Sequence, residues 1–157
     1  MITALDWFLS FVPVNIDSSK TITFIDGDQA SRDLLSCYEQ HIEPLNSEVH
    51  YVTVGTIPNV LKPFVYSDNV VLTQLEGFIK GKETTDKYIA AHIVKSLNQG
   101  YTKINVVSND YDFLDIFKMV SMIEDCPDKI DFTLYMPKRM ESKKGDNISV
   151  KNIRIIG

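Results

Sequence analysis

Short apolar, β-branched runs alternate along this chain with longer stretches in which apolar residues recur every third or fourth position. The runs at 21–26, 49–54, 69–75, 103–108 and 131–136 predict five strands, and 150–156 predicts a short last one. Leu34, Leu35, Tyr38 and Ile42 share one face of a helix predicted over 30–41. Ile89, Ile93 and Leu97 mark a helix over 86–98, with Thr84 or Thr85 as its N-cap and Gly100 as its stop. Phe113, Phe117 and Val120 face inward on a third helix over 112–123, and Pro58 suits the first turn of a short one over 58–64. Between them, 77–85 reads as a polar connection and 138–146 as a charged loop. The alternation predicts an α/β fold: a three-layer αβα sandwich, Rossmann-like, with a central, mainly parallel five-stranded sheet. In such sheets ligands bind beyond the carboxyl ends of the strands, where the strand order reverses.

Composition adds bounds. Of 157 residues, 44% are hydrophobic and 24% charged, which places the chain among ordinary folded domains rather than disordered or fibrous ones. No internal repeat or low-complexity segment divides it, so 21–157 is expected to form one domain after an N-terminal helix or arm over 1–20. That arm holds an apolar run, Trp7 to Val14, bounded by Asp6 and broken by Ser10. The run lacks a basic flank and is too short to span a bilayer, so no membrane association and a cytoplasmic location are expected. It is expected to pack on the domain or on a second subunit, making a homodimer. Cys37, in a predicted helix, and Cys126, in a predicted loop, have neither zinc spacing nor a disulfide framework, and read as ordinary thiols.

A net charge of −5 argues against tight non-specific DNA binding, which draws on many Lys and Arg contacts to phosphate. The acids are not spread evenly, however. The first strand stops at Asp26-Gly27-Asp28, and the fourth stops at Ser108-Asn109-Asp110-Tyr111-Asp112-Phe113. Asp86 opens the helix between them. If the two strands are neighbours, several carboxylates meet in one crevice, which a proton or a cation must compensate. Clustered carboxylates most simply suit Mg²⁺ or Mn²⁺ and phosphate chemistry.

Each acid also has an ordinary reading. Asp is common as a helix cap in βα turns, and any Asp is favoured in a first helical turn, which covers Asp86 taken alone. Asp28 divides evenly between a cap and a supporting role behind the site. Asp110 and Asp112 with the Ser108 hydroxyl exceed what capping one helix requires, and alternate residues of an extended turn can face one cation. Of the histidines, His92 reads as structural and His41 and His50 as surface residues. No Ser/His/Asp arrangement or Gly-rich phosphate loop supports acyl transfer or nucleotide hydrolysis. Lys138, Arg139, Lys143 and Lys144 form the basic cluster, either a solvated loop or a grip for phosphate.

At these residues the chain resembles the PIN-like nuclease superfamily, and within it the NYN-type domain. The matching stretches are Asp26-Gly27-Asp28, then Lys80-Gly81-Lys82-Glu83-Thr84-Thr85-Asp86, then Ser108-Asn109-Asp110-Tyr111-Asp112-Phe113, over about residues 21–136. Gln29 departs from the Asn such domains often carry, and neither the arm nor the tail after Pro137 has a counterpart. The resemblance implies a nuclease, most simply an endoribonuclease, with RNA rather than DNA as substrate. Asp26, Asp86, Asp110 and Asp112 would be its catalytic, metal-holding residues. Ser108, Asn109, Lys82, Lys138 and Arg139 would face the substrate, while Tyr111 either stacks on a base or packs. With so modest a basic surface, RNA shape or a protein partner or regulator would supply specificity.

Two other readings compete. A haloacid-dehalogenase-type phosphatase also carries Asp-x-Asp after a buried strand, with Asp26 as nucleophile and Asp28 as acid/base, but Ala30 and the short chain count against it. A catalytically silent RNA-binding or protein-interaction module is the other, against which the retained acids argue. A receiver-like domain fits the fourth-strand acids poorly.

Overall fold

The structure is a computed structural model that describes residues 20–29, 33–78, 83–123, 129–141, 148–150 and 152–157. The arm over 1–19, Lys82, Cys126, Lys143 and Lys144 therefore lie outside the described residues. In chain order the elements are β1 (Lys20–Asp26), α1 (Leu34–Cys37), β2 (Glu48–Thr53), α2 (Lys62–Val65), β3 (Val70–Gln74) and α3 (Thr84–Asn98). They continue with β4 (Tyr101–Val107), α4 (Asp112–Ile123), β5 (Asp131–Tyr135), α5 (Pro137–Glu141), β6 (Ile148–Val150) and β7 (Ile153–Ile156).

These strands form one sheet in the order β3-β2-β1-β4-β5-β7-β6, parallel throughout except for β6, which runs antiparallel to β7. The expected α/β sandwich is present, with seven strands instead of five. The five expected central strands are there. Of the run at 150–156, Ile153–Ile156 form β7, while Val150 ends a separate strand, β6, that begins at Ile148; the two lengthen the sheet at its far edge.

Side chains alternate across the sheet and so divide the core in two. Ile22, Phe24, Val52, Ile104, Val106, Phe132 and Leu134 pack with Ile89 and Ile93 of α3 and Phe113 and Phe117 of α4. Ile25, Val49, Tyr51, Val107 and Tyr135 face the other way, against Leu34, Cys37, Ile42 and Leu61. This second face also takes a row of buried polar groups, in which Asn105 Nδ2 donates to Thr23 Oγ1 at 3.2 Å. Thr23 Oγ1 also lies 2.9 Å from Ser47 Oγ, so the row is satisfied across the strands.

Several local expectations are corrected. Lys20, assigned to the arm, begins β1. α1 starts at Leu34 and runs on as a wider π-type turn over Tyr38–Ile42 and a 3-10 turn over Glu43–Leu45 that contains Pro44. The short helix over 58–64 divides into a 3-10 turn at Asn59–Leu61 and α2, and Pro58 precedes it in extended conformation at ψ 141°. Neither Thr84 nor Thr85 caps α3: both lie inside it, and Glu83, at a left-handed φ of 55°, precedes it. The charged loop begins instead with α5.

Strand order fixes the place of the site. From β1 the chain moves outward through β2 to β3, then returns to β4 on the other side of β1 and moves outward through β5. The order reverses between β1 and β4, so the crevice at their carboxyl ends is the binding position of such sheets.

Candidate acidic site at the β1–β4 crevice

Register brings the acids together. Ile25 pairs with Val107, so the next residues, Asp26 and Ser108, stand side by side where the two strands end. Both are buried, and Ser108 Oγ donates to Asp26 Oδ2 at 3.0 Å. The same hydroxyl accepts the amide of Asp110 at 3.1 Å, and Asp110 Oδ1 accepts the amide of Asp112 at 2.9 Å. Each bond folds the loop back by two residues, so the acids after β4 are presented at the crevice instead of trailing into α4.

Gly27 makes the first turn close-packed. A Cβ there would sit 2.6 Å from Tyr51 Cε1 and 2.8 Å from the Val52 carbonyl oxygen. The glycine answers a close approach by β2. Asp28 also lines the crevice but is held by donors from neighbouring elements. Its Oδ1 accepts Thr53 Oγ1 at 2.8 Å and the amides of Val54 and Gly55 at 3.3 Å each, and its Oδ2 accepts the Thr85 hydroxyl. Burial pushes Asp28 up, but the Thr85 and Thr53 hydroxyls and the Gly55 and Val54 amides outweigh it, so its carboxyl lies below the ordinary range. Asp28 thus ties the end of β1 to the end of β2 and the first turn of α3. The sequence offered no local sign of Thr53 or Thr85 as its partners.

Asp86 projects from that first turn of α3. Its carboxyl is pushed up to about 8 by burial, by the charge of Asp26, by a hydrogen bond shared with Asp110, and by the charges of Asp110 and Glu83. Asp26 rises to about 6, chiefly through burial and then the charge of Asp28, against the opposing donors of Ser108, Asp28 and Gln29. These two acids are held where neither ionises freely.

The four expected acids do not form one equal set. Asp86, Asp110 and Asp112 each bring a carboxylate oxygen within 4.8 Å of the others, with Asp86 and Asp110 half-buried and Asp112 exposed. Asp26 lies behind them, close enough to Asp86 to perturb it but outside that triangle. Oxygen donors at this spacing suit a hard cation, whose ligands stand about 2–2.6 Å from the ion. The residues therefore fit Mg²⁺ or Mn²⁺. An open cleft of about 470 Å³ leads in, lined by Asp26, Asp86 and Asp110 with Gln29, Gly55 and Glu83 among others.

Of the expected substrate-facing residues, Ser108 is committed to the carboxylates as above. Asn109 is engaged at both ends: Nδ2 donates to the Gln29 carbonyl at 3.2 Å, and Oδ1 accepts the Lys138 amide at 2.9 Å. This brings α5, with Lys138 exposed and Arg139 partly so, against the acidic loop. The Arg139 guanidinium lies 6.0 Å from the centre of the exposed Tyr111 ring.

The histidines gather elsewhere. His50 is buried, not on the surface, and its ring lies 4.9 Å from that of His92. Phe24 packs on both, Tyr88 meets His92 edge-on, and Glu48 Oε2 accepts from His50 Nε2 and the Tyr101 hydroxyl at 3.0 Å each. Burial, the His50 charge and the Lys95 charge lower His92, outweighing the pull of Glu48. His41 lies over the Tyr135 ring at 5.8 Å.

Similarity to known proteins stops at the fold. No protein-family model matches the chain, and no match was found among the curated proteins. A crystal structure of a protein of unknown function from Vibrio parahaemolyticus aligns with a TM-score of 0.51 and 13% identity, over 77% of this chain and 83% of that one. A short-chain dehydrogenase/reductase from Burkholderia vietnamiensis aligns with a TM-score of 0.38 and 11% identity, over 74% of this chain and 62% of that one, too weak a likeness to bear on it.

Proposed function

We propose that this protein is a Mg²⁺- or Mn²⁺-dependent ribonuclease that hydrolyses RNA phosphodiester bonds, in the manner of the PIN-like, NYN-type domains its motifs resemble. The observation that carries the reading is the Asp86–Asp110–Asp112 triangle at the reversal point of the sheet. Bound there, the cation would supply charge to the phosphate and orient a water for in-line attack. Asp86, Asp110 and Asp112 would hold it. Asp26 adds negative charge beside Asp86 that a bound cation would compensate, and Ser108 keeps Asp26 and the Asp110 loop in register. Lys138 and Arg139, which lie beside the loop, would contact phosphate. Internal cleavage accords with a cleft open to solvent. The free, buried Cys37 thiol accords with a reducing, cytoplasmic setting. No helix among the described residues is long and apolar enough to cross a membrane.

A phosphatase draws less support. Asp26, its required nucleophile, is buried with Oδ2 bonded to Ser108 and Oδ1 to the Asp28 amide, and Asp28 is tied to β2 and α3. The test is incubation of protein and an Asp110→Asn variant with labelled single-stranded and structured RNA and DNA, in Mn²⁺, Mg²⁺ or EDTA. Metal-dependent RNA cleavage lost in the variant is expected. Binding without cleavage under every metal condition would replace the proposal with a silent RNA-binding module.

A further inference from the structure

We propose that Tyr111 and Arg139 form a stacking subsite for one unpaired base of a single-stranded RNA, next to the phosphate held over Asp86, Asp110 and Asp112. The proposal rests on the ribonuclease reading and assigns it a substrate class.

Tyr111 sits between two of the acids, yet the residue is 53% exposed and its side chain joins neither core cluster. Its hydroxyl bonds to none of the described residues. Its place is set by the backbone, through the Leu114 amide bond to its carbonyl and the Asp112 amide bond to Asp110. Asn109, its near neighbour, is held between the β1 turn and α5. The ring is therefore carried on an anchored loop while remaining open to solvent. Arg139 stands over the ring at the outer range of a cation–π contact, supplying positive charge where the acids would otherwise repel a polyanion.

The charge balance requires such a contact. A chain of net charge −5 with an acidic cleft draws no RNA from a distance, so affinity must come from short-range interactions. Base–aromatic stacking tolerates any sequence and is strong enough to matter. It is open only to a base not already stacked in a duplex, which selects single strands, loops and ends.

The test is fluorescence titration of wild type, Tyr111→Phe, Tyr111→Leu and Tyr111→Ala with a short single-stranded RNA carrying the adenine analogue aminopurine. Ca²⁺ replaces Mg²⁺ during the titration, and the same proteins are assayed for cleavage in Mn²⁺. Wild type and Tyr111→Phe are expected to quench the analogue. Tyr111→Leu and Tyr111→Ala are expected to lose the quenching and at least about fivefold in affinity. An RNA abasic at that position should bind all four proteins equally. Unchanged quenching in the Leu and Ala variants, or an equal penalty on the abasic RNA, overturns the subsite and leaves the ribonuclease reading intact. Tyr111-dependent quenching without cleavage supports the subsite and removes the ribonuclease reading. No RNA binding by wild type overturns both.

Discussion

Helix α3 carries two partly buried titratable side chains, Asp86 and His92, about 9 Å apart along its axis, and the groups around them are built on opposite principles. Around His92 the single carboxylate, Glu48, receives two donors and aromatic faces close over the imidazoles, although Nδ1 of both His50 and His92 is buried without a hydrogen-bond partner among the described residues. Around Asp86, like charges are gathered and left unanswered, so Asp26 and Asp86 are driven well above an ordinary carboxyl. In the first, the bonds to Glu48 favour its ionised form in the folded chain. The second costs free energy in the absence of a ligand, and burial of that kind is characteristic of functional sites. Burial alone does not separate the two; the sign of the neighbouring charges does.

The largest effect that would break this contrast is chemical. Asp110→Asn removes one unit of ligand charge and is expected to lower metal-dependent RNA cleavage by more than about a hundredfold, since cation stabilisation of the reacting phosphate is worth several kcal/mol. Circular dichroism should show an unchanged fold. Wild-type turnover in this variant would sink its assignment.

Next comes the packing that places Asp26. Gly27→Ala sets a methyl group against Tyr51 and the Val52 carbonyl and is expected to destabilise by about 1–3 kcal/mol. A urea midpoint equal to wild type would show that the turn moves freely.

Dependence on pH then sharpens the comparison, because the two groups have opposite slopes. Asp26 and Asp86 are raised from 3.8, so their stabilising contribution is complete below that pH. It is lost as pH rises through about 6 for Asp26 and about 8 for Asp86. Glu48 is lowered from 4.5: burial raises it, but the bonds from His50 and Tyr101 outweigh that, so its contribution is present above 4.5 and lost on acidification. In EDTA near pH 8, Asp86→Asn is therefore expected to melt higher than wild type, and millimolar Mn²⁺ to raise the wild type but not the variant. Calorimetry giving a lower melting point for the metal-free variant would contradict the repulsion argument.

The smallest effect belongs to the compensated end. Glu48→Gln weakens a partly exposed pair and is expected to cost about 0.5 kcal/mol at neutral pH, opposite in sign to Asp86→Asn. A gain in stability would mean that the histidine group is strained as well.

Most of the fold was legible because it depends on local period. Buried runs of four to seven residues and the Phe113–Phe117–Val120 stripe announce strands and helix whatever lies beside them. Termini depend on distant partners, and there the sequence misled. Thr85 looked like a cap but spends its hydroxyl on Asp28, 57 residues away, and Glu83 takes the left-handed position before α3. His50 looked exposed because nothing nearby in sequence shows that Phe24 and His92 will cover it. The acids were visible at strand ends, yet their ranking was not. Only the packing of α3 against the strand ends shows that Asp86, Asp110 and Asp112 meet within 4.8 Å in a group that does not include Asp26.

The register of β1 against β4 sets a timetable. β1 is an interior strand, yet its partner β4 begins at Tyr101, so a chain leaving the ribosome exposes one flank of β1 until β4 has been made. Pairings of such long sequence separation form slowly, because a large loop must close before they contribute. The cluster needs Asp110 and Asp112 from beyond β4, so it cannot assemble on a growing chain that has only just released β1. Whatever chemistry the acids perform is silent during early synthesis and begins only when the second half of the sheet has docked.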